Sequence, residues 1–436
     1  MNVLNRFFKF EQYNTTFARE LVAGLTTFTT MSYIVVVNPA ILSQAGIPAG
    51  PSFVATIAAA VFGCLLMGFY ANRPFAIAPY MGENAFIAFT VCIQLGFKWQ
   101  TALGAIFIAG IVFVVLTLLR LRQWIVDAVP LSLRYSFAVG IGLFLTFIGL
   151  NQTGIVALGV AGAPVRSGQL TSAPVLVAIF GFLLLSVLVI RKVPGAILIG
   201  IVVTAIVAFV AHTAAPPTHV LSLPPALKPI SMQMDVRSAL SWRAFPVVLT
   251  IFIMAFVDTM GTLIGLSARA GFLDREGKLP QIERPMMVDA FTTTLAPIIG
   301  TTTAGAYVES ATGIEAGGRT GLTSIVTAIC FALTLFFAPF VSSIPAQAYG
   351  PAMIIVGLFM LEPITRINFG DYTDSIPSFA VITLMCFTFN IGVGITAGFV
   401  LYPLGKVVTG KIREIKPGLW ILTALSLLFF IFYPYG

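Results

Sequence analysis

Apolar runs near the length a helix needs to cross a bilayer recur along almost the whole chain, and they leave few folds open to it. They lie at about 20–44, 52–70, 76–94, 101–119, 130–150, 173–190 and 194–213, then at about 244–268, 286–300, 301–317, 320–343, 347–363, 375–408 and 418–434. The proline-rich connector APPTHVLSLPPALKPISMQMDVRSALSW separates the two sets. Only 9% of the residues are charged and 58% are hydrophobic, against roughly 25% charged in a soluble domain. The class is an all-α polytopic membrane protein. Its net charge of +8 does not indicate nucleic acid as a partner, because the Lys and Arg residues occupy short connectors between apolar runs.

The two sets resemble each other. YSFAVGIGLFL from Tyr135 is similar to YGPAMIIVGLFM from Tyr349, and APYMGENAF lies about as far into its half as AGAYVES does into the second. An odd number of spans per half inverts the second copy, so the expectation is about 14 transmembrane segments in a 7+7 inverted repeat. Two broken segments with short extended backbone should meet near the midplane. Arg73, Arg120, Arg122, Arg191, Lys192, Arg269, Arg275, Lys278 and Arg284 all face the cytoplasm if the chain starts there. Lys406, Lys411, Arg413 and Lys416 fit simple alternation less well, so 375–408 reads as two short helices broken near Asn390-Ile391-Gly392. The amphipathic residues 1–19 read as a cytoplasmic interfacial helix, without the pattern of a signal peptide.

The stretch GTTTAGAYVESATGIEAGGRT, Gly300 to Thr320, carries the chemistry. Three threonines followed by alternating small residues suit a short extended segment, after which a half-helix can start. Broken backbone survives at membrane depth only inside protein or beside a wet cavity, and an ionisable group there is a candidate functional residue. Glu309 is that group. Asp258 sits in AFVDTMGTLIG beside Thr259, Gly261 and Thr262, a small polar face that a ligand can approach closely. Two carboxylates on different segments can accept hydrogen bonds from a planar heterocycle, and either can carry a proton. Asn84, after Pro79 and Gly82 in the first broken stretch, offers both a donor and an acceptor. Its neighbour Glu83 fits substrate contact, proton relay or an interhelical tie equally well, whereas Asp289 reads as a helix-end residue near the cytoplasmic side. Phe28, Tyr33, Tyr80, Phe86, Phe256 and Tyr307 are the aromatic rings near these positions, with Tyr307 held beside Glu309.

Other chemistries find little footing. Cys64, Cys92, Cys330 and Cys386 lie in apolar runs without CxxC pairing, and the two histidines, His212 and His219, lie at the connector. No metal site, cofactor or enzymatic nucleophile is indicated. GIEAGGRT has the glycine spacing of a phosphate-binding loop, but Arg319 stands where its lysine belongs.

The segments GLTTFTTMSYIVVVNPAIL, APYMGENAFIAF, FVDTMGTLIGLSARAGFLDREGKLP and YVESATGIEAGGRTGLTSIV together resemble the adenine/guanine/hypoxanthine permease branch of the nucleobase:cation symporter-2 family. The resemblance covers essentially the whole chain. It implies a core domain (20–127 and 244–343) and a gate domain (128–213 and 344–436) joined through a connector (214–243), with the core moving against the gate, commonly in a homodimer. It also implies proton-coupled purine uptake across the cytoplasmic membrane of a bacterium, with H+ as the coupling ion. By motif, Glu309 in YVES, Asp258 in VDTMGT, Asn84 in GENAF and the preceding Tyr307 correspond to substrate-site residues; Thr262, Gly261 and Phe28, beside them, complete the candidate site. Glu309, Asp258 and Glu83 are the candidates for carrying the proton. Purine-transporting relatives often have a second acid one helical turn before Asp258; Ala255 stands there, and Glu83 could supply that carboxylate from another segment. The alternatives are a uracil or xanthine symporter and an anion transporter of the same inverted-repeat architecture, the latter disfavoured by fixed carboxylates at the site.

Overall fold

In the computed structural model the described residues are 2–119, 121, 124–125, 128–160, 163–273 and 279–433. Arg120, Arg122, Arg275 and Lys278, used above to orient the chain, lie outside them. Nine helical stretches among the described residues are long and apolar enough to cross a membrane, and three shorter apolar helices accompany them.

The chain opens on α1 (Asn2–Phe8), α2 (Phe17–Met31), α3 (Ile34–Gln44) and α4 (Ala49–Leu66). Residues 1–19 are therefore not one interfacial helix. Lys9 and Asn14 adopt left-handed backbone, and the Thr16 side chain accepts the Arg19 amide to start α2. Phe8 and Phe10 are buried against Leu322, Ile325 and Val326. The first apolar run is likewise interrupted, at Ser32–Tyr33 between α2 and α3.

A strand β1 (Ile77–Pro79), a short helix α5 (Met81–Ala85) and a π-helical turn make up the first broken segment, followed by α6 (Trp99–Leu118). Next come α7 (Leu131–Gln152), an exposed hairpin β2–β3 (Val156–Val160, Ala163–Ser167), α8 (Ala173–Ile190) and α9 (Ala196–Val210). After the connector, which holds the one-turn helix α10 (Val236–Ala239), lie α11 (Phe245–Arg269) and α12 (Glu283–Ile299). The second broken segment is β4 (Ala304–Ala306) with α13 (Ser310–Glu315), and α14 (Gly321–Thr334), α15 (Ala338–Ser343) and α16 (Ala346–Phe359) follow. The run 375–408 divides into α17 (Tyr372–Phe387) and α18 (Ile391–Val408), and α19 (Pro417–Phe432) ends the described chain. Asn390 sits at that division and caps α18 by accepting the Val393 amide at 3.3 Å.

Packing falls into two groups. In one, α6 lies against α11 and α12, α2 against α14, and α3 and β1 against α4. In the other, α7 packs on α16 and α17, α8 on α9 and α16, and α18 on α17 and α19. The similar segments noted at Tyr135 and Tyr349 lie in α7 and α16, which touch each other. Their backbones meet closely: a Cβ on Gly149 would stand 2.8 Å from the Gly350 carbonyl oxygen.

One buried knot ties the N-terminus to the second broken segment. Glu20 is fully buried, and its carboxylate accepts hydrogen bonds from the Thr15 hydroxyl (2.8 Å), the Thr323 hydroxyl (2.6 Å) and the amides of Arg319, Thr320 and Thr323 (2.9, 3.2 and 3.3 Å). A carboxylate at the start of α14 satisfies helix-end amides that would otherwise be orphaned. The GGRT loop thus has its own anion, which physically closes the phosphate-loop reading. Glu20→Ala strips several buried donors of their acceptor, at about 1–3 kcal/mol for each one left unsatisfied. Thermal unfolding in detergent should show a midpoint several degrees lower; an unchanged midpoint would mean the knot contributes nothing to the fold.

Candidate functional site

β1 and β4 pair antiparallel, with Ile77 opposite Ala306, Ala78 opposite Gly305 and Pro79 opposite Ala304. All six residues are buried. The extended backbone expected in the second broken stretch is present, although the ladder uses Ala304–Ala306 and leaves the threonines just before it. Such short strands leave many polar groups for other partners, because buried backbone donors and acceptors must be paired. The Tyr80 amide donates to the Thr303 carbonyl (3.0 Å), the Tyr307 amide to the Ala76 carbonyl (2.9 Å), and the Ala76 amide to the Ser310 hydroxyl (2.9 Å). The Thr293 hydroxyl reaches the Ala304 carbonyl at 3.0 Å. Asp289 is in the second turn of α12, not at a helix end, and is fully buried; its carboxylate accepts the Ala306 amide at 3.4 Å. Hence an acid that reads locally as a terminal residue is a support for the strand pair.

The two half-helices α5 and α13 leave opposite ends of this ladder and carry the candidate residues with them. Asn84 is buried in α5, where its side-chain oxygen accepts the Thr302 hydroxyl from the other broken segment. Among the described residues its amide nitrogen has no hydrogen-bond partner. Glu83, next to it, is fully buried with neither carboxylate oxygen hydrogen-bonded among the described residues, and it lies within electrostatic reach of Asp258 and Asp289. Glu309 stands just before α13, half-buried, and accepts the Tyr33 hydroxyl at 2.6 Å.

Tyr307 binds the two halves of the site. Its ring stacks on Tyr80 at 6.3 Å with 9° between planes, and its hydroxyl donates to the Pro79 carbonyl. It lies within electrostatic reach of Glu309, Glu83 and Asp258 together. Tyr307 is thus near Glu309 as expected, but the hydroxyl that meets that carboxylate belongs to Tyr33. The Tyr80 hydroxyl lies 3.2 Å from that of Thr259, tying the ladder to α11.

On α11, Asp258 and Thr262 are half-buried, while a Cβ on Gly261 or Gly265 would meet nothing within 4 Å. Positions 258, 261, 262 and 265 share one helical face, so Asp258 looks onto an open stripe. The Phe28 ring meets Phe331 edge-on at 5.2 Å. Three contacts were not apparent from spacing, namely the Tyr33 hydroxyl on Glu309, Thr302 on Asn84 and Thr259 beside the Tyr80 hydroxyl. Each acts across more than 170 residues of sequence, and local patterns carry no signal of that. Among the described residues no group of three or more His, Cys, Asp or Glu side chains is arranged to hold a metal ion.

Known proteins share this arrangement of segments. Residues 18–400 match the family model described as Permease family, Xan_ur_permease. The adenine permease AdeQ of Escherichia coli (strain K12) is 39% identical over 425 residues, covering 97% of this chain and 95% of AdeQ. The guanine/hypoxanthine permease PbuO of Bacillus subtilis (strain 168) is 39% identical over 431 residues, covering 97% of this chain and 99% of PbuO. Among solved structures, the transmembrane domain of the cyanobacterium bicarbonate transporter BicA superposes with a TM-score of 0.66 at 16% identity, over 87% of this chain and 96% of that one. At that identity the likeness to BicA is one of fold. With a family match over most of the chain, full-length permease relatives and membrane-spanning helices throughout, the chain belongs to the nucleobase:cation symporter-2 permeases, multi-pass transport proteins of the cell membrane and not enzymes.

Proposed function

We propose that the protein is a proton-coupled importer of purine nucleobases. The observation that carries this reading is the convergence of Glu309, Asn84, Glu83 and Asp258, from two broken segments and α11, around Tyr307 and a two-stranded ladder. Carboxylates and a carboxamide supply the acceptors and donors that the edge of a purine needs, and the open face of α11 admits a flat ring. Relatives named adenine permease and guanine/hypoxanthine permease make adenine, guanine and hypoxanthine the first bases to test, ahead of uracil and xanthine.

Transport would proceed by an elevator-like displacement of a core (20–127 and 244–343) against a gate (128–213 and 344–436), in a homodimer with 14 segments arranged 7+7. Side-chain bonds between these parts support a sliding boundary. The Thr90 hydroxyl donates to the Phe389 carbonyl at 2.7 Å and the Gln94 amide to the Thr388 carbonyl at 3.1 Å, both at the break between α17 and α18. Such bonds can be exchanged for water or other partners as the core moves. BicA shares the fold and is named a bicarbonate transporter, which gives an anion substrate a hearing; fixed carboxylates at Glu309 and Asp258 would repel an anion and weigh against it.

Uptake of radiolabelled adenine, guanine, hypoxanthine, xanthine and uracil into proteoliposomes, with and without an inward proton gradient, tests the proposal. Accumulation of one or more purines above equilibrium only with the gradient is expected. Bicarbonate uptake with no base accumulated would overturn it in favour of anion transport.

A further inference from the structure

We propose that Tyr33 is a positioning residue that presents Glu309 to the substrate through a single carboxylate oxygen. This deepens the reading of a nucleobase site and rests on it. Tyr33 lies at the interruption between α2 and α3 and is 1% exposed; its hydroxyl donates to Glu309 Oε1 at 2.6 Å. The two elements are also held together without this bond. The hydroxyls of Thr30 and Thr312 lie 3.0 Å apart, and Thr312 donates to the Glu309 carbonyl at 2.8 Å, fixing the first turn of α13. Farther along, a Cβ on Gly313 would stand 2.6 Å from the Ala23 carbonyl oxygen, so α2 and α13 are in backbone contact.

The other charged and titratable groups around α13 are committed elsewhere or only near. On α2, Glu20 is taken up by the knot at Arg319–Thr323, and Arg19 lies toward Gly317. On α11, Arg269 pairs with Glu315 at 2.7 Å, and Asp258 offers no donor when ionised. The hydroxyl of Tyr307 is engaged by Pro79. Tyr33 is therefore the side-chain donor to Glu309 among the described residues. With one oxygen engaged, a purine N–H meets the other in a set direction and does not have to order a rotating carboxylate, which is how pre-organisation raises affinity. Tyr33 thus acts through Glu309 and not as a stacking surface.

Tyr33→Phe keeps the ring and removes the donor. The expected result is a rise in the KM for purine uptake of about tenfold, the worth of one hydrogen bond to a charged group, with kcat changed much less. A second readout needs no substrate. Labelling of Glu309 by a hydrophobic carbodiimide, followed by mass spectrometry, should be severalfold faster in Tyr33→Phe than in wild type, because Oε1 is released. An unchanged KM, or equal labelling rates, overturns the proposal. If wild type transports no purine, the substrate reading fails while the labelling still decides whether Tyr33 holds Glu309. Should the phenylalanine variant not fold, Tyr33→His retains a donor and should label at close to the wild-type rate; fast labelling of that variant likewise counts against the role of the donor.

Discussion

Glu309→Gln is expected to abolish gradient-driven purine accumulation in proteoliposomes, with kcat/KM reduced at least about 10- to 100-fold, the value of a hydrogen bond to a charged group. Glutamine has nearly the same shape and can still accept the Tyr33 hydroxyl, so the half-helix α13 stays in place. What it loses is the charge and the ability to take a proton. With its single oxygen accepting from Tyr33, the amide presents its NH2 donor where Glu309 offered a free acceptor oxygen, which mismatches a base N–H. Thermal unfolding should match wild type, because Glu309 is half-buried and makes no capping bond to α13. The measurement is initial uptake rate against purine concentration, with and without the gradient. Uptake by the variant within a factor of about two of wild type would remove Glu309 from the site.

What could be read in advance followed from local chemistry. Pro79 cannot donate a helical hydrogen bond and disfavours helix before it, and the three threonines Thr301–Thr303 favour extended backbone, so both interruptions were legible. The division of 375–408 was legible from charge, because Lys406, Lys411, Arg413 and Lys416 do not fit simple alternation, and Asn390 caps α18 at that division. The register of β1 on β4 was not, because it joins residues more than 200 apart. Tyr33 and Glu309 are separated by 276 residues, and a tyrosine in an apolar run looks like any packing ring until its partner is known. Glu20 gave still less warning. An acid in an amphipathic N-terminal stretch reads as solvated, yet its partners lie about 300 residues on, at the start of α14. Asp289 was placed at a helix end because it lies near the start of an apolar run; burial against β4 depends on how α12 packs, which spacing does not encode.

Glu83→Gln is expected to separate proton coupling from substrate exchange. Around the strand ladder, Asp258 and Asp289 each lie within electrostatic reach of Glu83, and all three carboxyls lie within reach of Tyr80. In a water-poor interior like charges at close range do not all ionise, so the cluster has room for at least one proton. Asp289 accepts the Ala306 amide, which engages it as a support of β4. Among the described residues neither Glu83 oxygen is hydrogen-bonded, and Asp258 faces the open stripe of α11, so under the proposed symport these two are the pair to test for carrying the proton. Ala255, one turn before Asp258, is buried and apolar, whereas Glu83 on α5 lies within electrostatic reach of Asp258. Glutamine at 83 preserves size and burial but cannot release a proton. Gradient-driven uptake should fall at least about tenfold and lose its dependence on pH, while exchange of labelled for unlabelled purine at zero gradient persists, because that exchange needs the binding groups and no net proton movement. Kinetics equal to wild type at every pH would assign the proton elsewhere. Loss of exchange together with driven uptake would make Glu83 a binding residue, since a group that only carries the proton has no part in a cycle that returns substrate for substrate.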